Sequence, residues 1–109
     1  MNRNRLTDTL KKAEGFSEKS YFDVSQLSGA WGHKLPPGWE PETTITKAMG
    51  EEWLQTDISA AIRDTCSVLP NYAEMAEARQ EAFVEMCFNI GIGRFKGFKK
   101  MIEAVIAED

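Results

Sequence analysis

Apolar side chains recur at intervals of three and four residues in several segments of the chain, and this spacing predicts helices. The first helix covers residues 3–14, where Leu6, Leu10 and Ala13 fall on one face. Gly15 follows at once, and glycine is favoured after a helix because it adopts left-handed backbone without penalty. The pattern therefore predicts that the first helix ends just before this glycine.

A second, longer helix is predicted over residues 46–69. Thr46 is placed as its N-cap, Gly50 weakens it slightly, and Pro70 ends it. The residues at its helical period are Met49, Trp53, Leu54, Ile58, Ala61, Ile62 and Thr65.

Three further segments complete the helical pattern. Residues 71–76 can form one short helical turn, and residues 77–90 carry a helical apolar period. The glycine-rich stretch GIGRFKG then predicts a turn, and a last helix is expected from about Phe98 to the end of the chain.

The helical period disappears over residues 15–45, which predict a small β lobe. Tyr21 and Phe22 suggest one short strand, and Leu27–His33 suggests another, with Ser, Gln and Gly between them. The stretch LPPGWEP excludes a helix. The expected fold class is α+β, mostly α-helical, in a single domain over 1–109 with the segments 1–14, 15–45, 46–69 and 70–109.

Composition and charge argue against nucleic acid and membranes as partners. The 109 residues suit one domain with one modest core, and the net charge of −4 offers no basic footprint for nucleic acid. The N-terminal segment has no uninterrupted apolar run, and no later segment is apolar enough to span a bilayer. We therefore expect synthesis in the cytoplasm, no signal peptide and no stable membrane association.

The cysteines and the histidine of the sequence do not predict a disulfide bond or a metal site. Cys66 and Cys87 each sit beside apolar residues in a helical pattern, so both are expected to be buried free thiols. One histidine and two scattered cysteines give no metal-ligand spacing, and we expect neither a metal site nor a cofactor.

Two carboxylates stand out by position. Glu14 ends the first helix at the negative end of its dipole, which favours the protonated form that a general acid needs. Asp23 follows nine residues later, and an acid paired with an ionised carboxylate is the arrangement used for glycoside hydrolysis. Because the chain has 17 acidic residues, spacing alone favours solvated surface groups for any one such pair.

The residues around this pair resemble the phage T4-type lysozymes, which are endolysin muramidases. In that family a helix ends in Glu-Gly, an Asp follows in a Tyr-x-Asp stretch, and a Thr precedes a Gly-x-Gly-His strand. The matching pieces here are Glu14-Gly15, Tyr21-Phe22-Asp23, Ser28 and Trp31-Gly32-His33. The stretches ITKAMGEEWLQTDISAAIRD and EAFVEMCFNIGIGRFKGF extend the resemblance over nearly the whole chain.

The resemblance implies roles for individual residues. Glu14 becomes the general acid, and Asp23 supports the developing positive charge and helps to orient water. Ser28 stands where the family has a Thr whose hydroxyl holds that water. Substrate contacts would come from Phe88, Asn89 and Lys34, and a structural His–Asp pair would join His33 to Asp57.

The resemblance also implies a function. The chain would hydrolyse the β-1,4 bond between N-acetylmuramic acid and N-acetylglucosamine with inversion and without a cofactor. Its partner would be the peptidoglycan glycan strand, reached in the periplasm after holin-type release from the host cytoplasm. Two alternatives stay open: an inactive lysozyme-like peptidoglycan-binding or virion module, and a plain helical interaction domain.

Three departures from the family pattern add expectations. The spacing from Asp23 to His33 is one residue shorter than usual, and Ala30 replaces the first Gly of the Gly-x-Gly-His strand. Family members usually continue for several more helices after the point where this chain reaches Asp109, so the helical lobe is expected to be incomplete. The last helix would then expose an apolar face and favour self-association, through Met101, Ile102, Val105 and Ile106.

Overall fold

The computed structural model describes residues 1–23 and 26–108. It has the α+β, mostly helical architecture that the sequence predicts. The helices are α1 (Arg3–Glu14), α2 (Lys47–Val68), α3 (Glu77–Gly97) and α4 (Lys99–Ile106), with a 3-10 turn at Tyr72–Glu74. The strands are β1 (Ser17–Asp23), β2 (Gln26–Ala30) and β3 (His33–Lys34).

The chain divides into two compact units. The β unit is Thr7–Asp57, and the helical unit comprises Met1–Leu6 together with the residues from Ile58 onward. The single domain over 1–109, with its four segments, therefore stays a prediction.

Helix α1 has the predicted bounds. Leu6 and Leu10 are 1% and 0% exposed, so its apolar stripe is buried, and Gly15 has the expected left-handed φ of 66°. Ala13, predicted on the same face, is instead exposed. It lies in the last turn of the helix, beside the exposed Glu14.

The sheet is antiparallel, in the order β1-β2-β3. The single strand predicted over Leu27–His33 is wrong, because the chain turns between β2 and β3. Ala30 and Gly32 both have left-handed φ, 52° and 71°, and such residues cannot continue a strand. The alanine that replaces the family's first glycine therefore occupies a conformation that glycine adopts without cost.

Helix α2 begins and ends close to its predicted bounds. Thr46 Oγ1 accepts a hydrogen bond from the backbone N–H of Met49 at 3.2 Å, which confirms the N-cap. The last helical residue is Val68, two residues before Pro70. The short helical turn predicted over residues 71–76 is the 3-10 turn at Tyr72–Glu74.

The helix predicted over residues 77–90 ends where expected, because Gly91, at φ 79° and ψ 158°, puts a kink in α3 that interrupts its helical backbone. The turn predicted from GIGRFKG is wrong beyond this kink, where a second helical segment of α3 continues to Gly97. Glycines permit a turn without requiring one, and the segment after the kink carries Phe95, which is 0% exposed. Burying this side chain keeps the segment helical.

Helix α4 is better covered than the sequence suggests. Val105 is 5% exposed and joins a core cluster with Leu69, Cys87 and Phe95, against which Met101 and Ile102 pack half-buried. Of the predicted open face, only Ile106 is an exposed large apolar residue, with 42% of its surface accessible. Phe98, which precedes α4, is 48% exposed. Most of the predicted face is thus covered within the helical unit, and self-association stays a prediction.

The two cysteines differ. Both are free; Cys87 is buried, as predicted, but Cys66 is exposed on α2. Burial raises the pKa of the Cys87 thiol. Within residues 1–23 and 26–108, no helix is long and apolar enough to cross a membrane.

Candidate active site

Glu14 is the last residue of α1, and its carboxyl group lies over the β2–β3 turn. A Cβ atom built on Gly32 would lie 2.7 Å from Glu14 Oε2 and 3.0 Å from the carboxyl carbon, closer than real contacts allow. The carboxyl therefore occupies space that only a glycine at position 32 leaves open. Gly32 also needs its left-handed φ of 71° to make the turn.

The last turn of α1 is held from outside the helix. The ammonium group of Lys11 forms an ion pair with Glu51 of α2 and lies 4.5 Å from the centre of the Trp31 ring. These contacts fix the turn that carries Glu14, since a helix end without them frays.

Tyr21 connects the two candidate carboxylates. Burial raises the pKa of the Tyr21 hydroxyl, and the negative charges of Asp23 and, more weakly, Glu14 raise it further. Tyr21 and Asp23 are two residues apart in β1, so their side chains point to the same face of the sheet. Both carboxylates are exposed. Each is therefore close enough to the same phenol for its charge to be felt there.

Ser28 and Lys34 lie on that face too. Ser28 is directly opposite Tyr21 of β1 and opposite Lys34 of β3, and residues opposite one another in an antiparallel sheet share a face. Ser28 is only 3% exposed, since a small side chain on a central strand is covered by its neighbours, whereas Lys34 is exposed.

The structure brings together the predicted pair of His33 and Asp57. His33 Nδ1 lies 2.7 Å from Asp57 Oδ2, with side chains that are 22% and 31% exposed. The His33 ring also stacks on Trp53, with centroids 4.7 Å apart and 17° between the planes. His33 pairs with Gly29 and so alternates with Lys34, which places its side chain on the other face of the sheet from Ser28. The pair links the short β3 strand to α2.

Phe88 and Asn89, the remaining predicted substrate contacts, belong to α3 in the helical unit. Phe88 is half-buried and Asn89 is exposed. Their roles in binding stay predictions.

Two residues of the family motif were given no role in the prediction from sequence. Tyr21 is the residue whose phenol feels both carboxylates, and Gly32 is the residue that makes room for Glu14. The glycine before His33 was a usable signal, because a glycine in a short turn often marks a close approach. Among the residues that the structure describes, no group of three His, Cys, Asp or Glu side chains could hold a metal ion.

Comparison with known proteins identifies the family and the fold of the chain. The model of the Phage lysozyme family matches residues 11–108, so the chain belongs to that family. Its fold is that of the muramidase domain of SpmX from Asticaccaulis excentricus, with a TM-score of 0.80 at 18% sequence identity, over 96% of this chain and 68% of that one. A search of curated proteins found no match.

Proposed function

We propose that the chain is a muramidase, which hydrolyses the β-1,4 bond between N-acetylmuramic acid and N-acetylglucosamine in bacterial peptidoglycan. The observation that supports the proposal is that the charges of Asp23 and, more weakly, Glu14 add to burial in raising the pKa of the Tyr21 hydroxyl, in a chain of the phage lysozyme family. Two carboxylates of different roles are the minimum that glycoside hydrolysis needs.

The proposed reaction gives each carboxylate a separate role. Glu14 donates its proton to the glycosidic oxygen while the bond from that oxygen to C1 of the muramic acid breaks. The positive charge that develops on the sugar ring is stabilised by ionised Asp23. A water molecule then attacks C1 from the opposite face and gives its proton to Asp23, which inverts the configuration. No cofactor takes part in this scheme.

The other residues bind and orient. The Ser28 hydroxyl lies on the same face as Asp23 and would hold the attacking water in place. Lys34, on that face and exposed, would contact the glycan beside the reacting bond. Phe88 and Asn89 are proposed as further substrate contacts.

The test is the Glu14→Gln variant, which keeps the side-chain shape but has no proton to donate. We expect it to release no reducing sugar from purified peptidoglycan while its circular dichroism is unchanged. Asp23→Asn should also be severely impaired. Glu18→Gln removes an exposed carboxylate from the same strand as Asp23 and should be fully active. Normal cleavage by Glu14→Gln would disprove the assignment.

Stereochemistry and cellular route are part of the proposal. Proton NMR of the first product should show the inverted anomer. The substrate is expected to be the periplasmic peptidoglycan of the host, reached from the cytoplasm after holin-type release. Cells whose outer membrane has been permeabilised should therefore lose turbidity when the protein is added, and a protein with Glu14→Gln should leave them intact.

A second candidate function is favoured by the burial of Ser28, which is 3% exposed. A residue buried to this degree leaves little room for the water that its hydroxyl is proposed to hold. The chain would then be a lysozyme-like peptidoglycan-binding or virion module without activity. Sedimentation with insoluble peptidoglycan, combined with a zymogram that shows no clearing, would establish this alternative.

A further inference from the structure

A concave site lies on the β unit, in the loop between β3 and α2. It is a pocket of about 400 Å³ lined by Gly38, Trp39, Glu40 and Thr43. We call it the Trp39 pocket. None of these four residues belongs to the candidate active site.

The loop that forms the Trp39 pocket is held rigidly on β1. Ser20, which is 1% exposed, donates from Oγ to the carbonyl of Glu40 at 2.6 Å, and the same Oγ accepts from the N–H of Thr43 at 2.9 Å. The Thr43 hydroxyl donates to the Glu40 carbonyl as well, at 2.6 Å. Backbone hydrogen bonds join Ser20 to Thr43 and Glu42, each at 2.9 Å. A loop fixed in this way loses little freedom when a ligand binds.

The Trp39 ring is also fixed. It makes a T-shaped contact with Trp53, with centroids 5.7 Å apart and 78° between the planes. Trp53 in turn stacks on His33, which forms a hydrogen bond with Asp57. A T-shaped contact joins the edge of one ring to a face of the other. Whichever ring supplies the edge, Trp39 keeps at least one face outside this contact.

Polar groups stand beside that ring. The side chain of Glu40 is exposed, and across residues 1–23 and 26–108 its carboxylate has no hydrogen-bond or ion-pair partner. The Thr43 hydroxyl lines the same pocket. A flat aromatic face next to a carboxylate matches a pyranose ring, which has an apolar C–H face and hydroxyl donors at its rim.

We propose that the Trp39 pocket is a second sugar-binding site, which takes an N-acetylhexosamine of the glycan strand. The identity of the glycan rests on the proposed function. A polymeric substrate held at two places on one protein dissociates more slowly than one held at a single place. The peptide stems of peptidoglycan fit less well, because their carboxylates would meet the like charge of Glu40.

Binding of a soluble N-acetylglucosamine tetramer tests the proposal without any cleavage. The Glu14→Gln protein is titrated with the tetramer, and the indole N–H signals of its three tryptophans are followed by NMR. The signal that is missing from the Trp39→Ala variant identifies Trp39. We expect this signal to shift on titration, and we expect Trp39→Ala to weaken retention on insoluble peptidoglycan by about tenfold.

A second variant covers the case in which Trp39→Ala disturbs the fold. Glu40→Ala removes an exposed side chain that makes no hydrogen bond or ion pair within the described part of the chain, and it should weaken retention several-fold. Glu52→Ala removes an exposed carboxylate from α2 and is the matched control, with unchanged retention. Equal retention of the Glu40→Ala and Glu52→Ala proteins would overturn the proposal.

Two further outcomes separate this proposal from the proposed function. If the parent protein cleaves peptidoglycan but the tetramer leaves the Trp39 signal in place, the pocket is not a sugar site. If the tetramer shifts the Trp39 signal but no cleavage occurs, the pocket proposal holds and the muramidase assignment fails. A shift caused by a sugar-free stem peptide, and not by the tetramer, would also overturn the pocket proposal.

Discussion

The carboxyl group of Glu14 occupies the space where the side chain of any other residue at position 32 would begin. A Cβ atom on Gly32 would come within 2.7 Å of Glu14 Oε2. The end of α1 and the β2–β3 turn are therefore matched to each other, and the position of the candidate acid depends on a residue with no side chain.

This match predicts that Gly32→Ala displaces the Glu14 carboxyl. The added methyl group meets the end of a flexible side chain, so the carboxyl moves aside and the fold survives. An alanine at a φ of 71° costs about 1–2 kcal/mol in addition. We expect at least a tenfold loss of muramidase activity in a protein that still unfolds cooperatively. Reducing-sugar release and thermal unfolding measure the two effects.

Gly91→Ala is the matched control for that variant. Gly91 also has a left-handed φ, 79°, but a Cβ atom there meets nothing within 4 Å. This variant should lose stability and keep its activity per folded molecule. If both variants lose activity equally, the contact between position 32 and Glu14 is not what matters.

The environment of Tyr21 predicts which of two charge-removing variants changes the pKa of its hydroxyl more. Because Asp23 raises the pKa of the Tyr21 hydroxyl more than Glu14 does, Asp23→Asn should lower that pKa more than Glu14→Gln. The titration is followed by NMR in a Tyr72→Phe background, which leaves a single tyrosine. A Tyr21 pKa that neither variant changes would show that neither carboxylate acts on this phenol.

The crowded surroundings of Gly50 predict that Gly50→Ala has the opposite effect on stability from the one expected for a glycine in a helix. Replacing a helical glycine with alanine normally stabilises by about 1 kcal/mol. At Gly50, however, a Cβ atom would lie 2.9 Å from the Ala30 Cβ, 2.9 Å from Phe16 and 3.2 Å from Trp31. Overpacking of this kind costs about 1–3 kcal/mol, so Gly50→Ala should destabilise the protein.

Gly93→Ala makes the same substitution in α3, where a Cβ atom meets nothing within 4 Å. It should stabilise by about 0.5–1 kcal/mol. Urea denaturation of both variants gives the comparison. Stabilisation by both would mean that α2 does not approach the Ala30 strand as closely as described.

Glu81 predicts a loss of stability in acid. The side-chain hydrogen bonds from Arg5, at 2.7 and 2.5 Å, hold the pKa of Glu81 below its ordinary value, against the opposing effect of burial. Since the folded pKa is depressed, this stabilisation is complete above the unfolded pKa of about 4.3 and disappears as the pH falls through the folded value. Glu81→Gln should lower stability at pH 7 and flatten the acid limb of the pH profile.

Glu77→Gln provides the comparison for the Glu81 variant. Glu77 lies 3.7 Å from the same Arg5 guanidinium, but its side chain is 64% exposed, against 12% for Glu81. An exposed ion pair of this length contributes little. Chemical denaturation from pH 3 to pH 7 should therefore find Glu77→Gln close to the parent protein. Matching profiles for the two variants would contradict the role given to the Arg5–Glu81 pair.

Sequence alone determined the elements whose signals are local. The bounds of α1, the left-handed Gly15, the Thr46 N-cap and the end of α2 before Pro70 each follow from backbone preferences within a few residues. The family resemblance added the identities of the candidate carboxylates. It did so because their motif is a run of neighbouring residues that can be read without knowing the fold.

Only the tertiary structure decided what depends on contacts between distant parts of the chain. The break between β2 and β3, the enclosure of Ser28 and the room that Gly32 leaves for Glu14 all arise where separate elements meet. The same holds for Cys66 and Cys87, which have similar neighbours in sequence but opposite exposure. A local pattern specifies which backbone conformation is favoured, but which side chain is covered depends on what the rest of the chain packs against it.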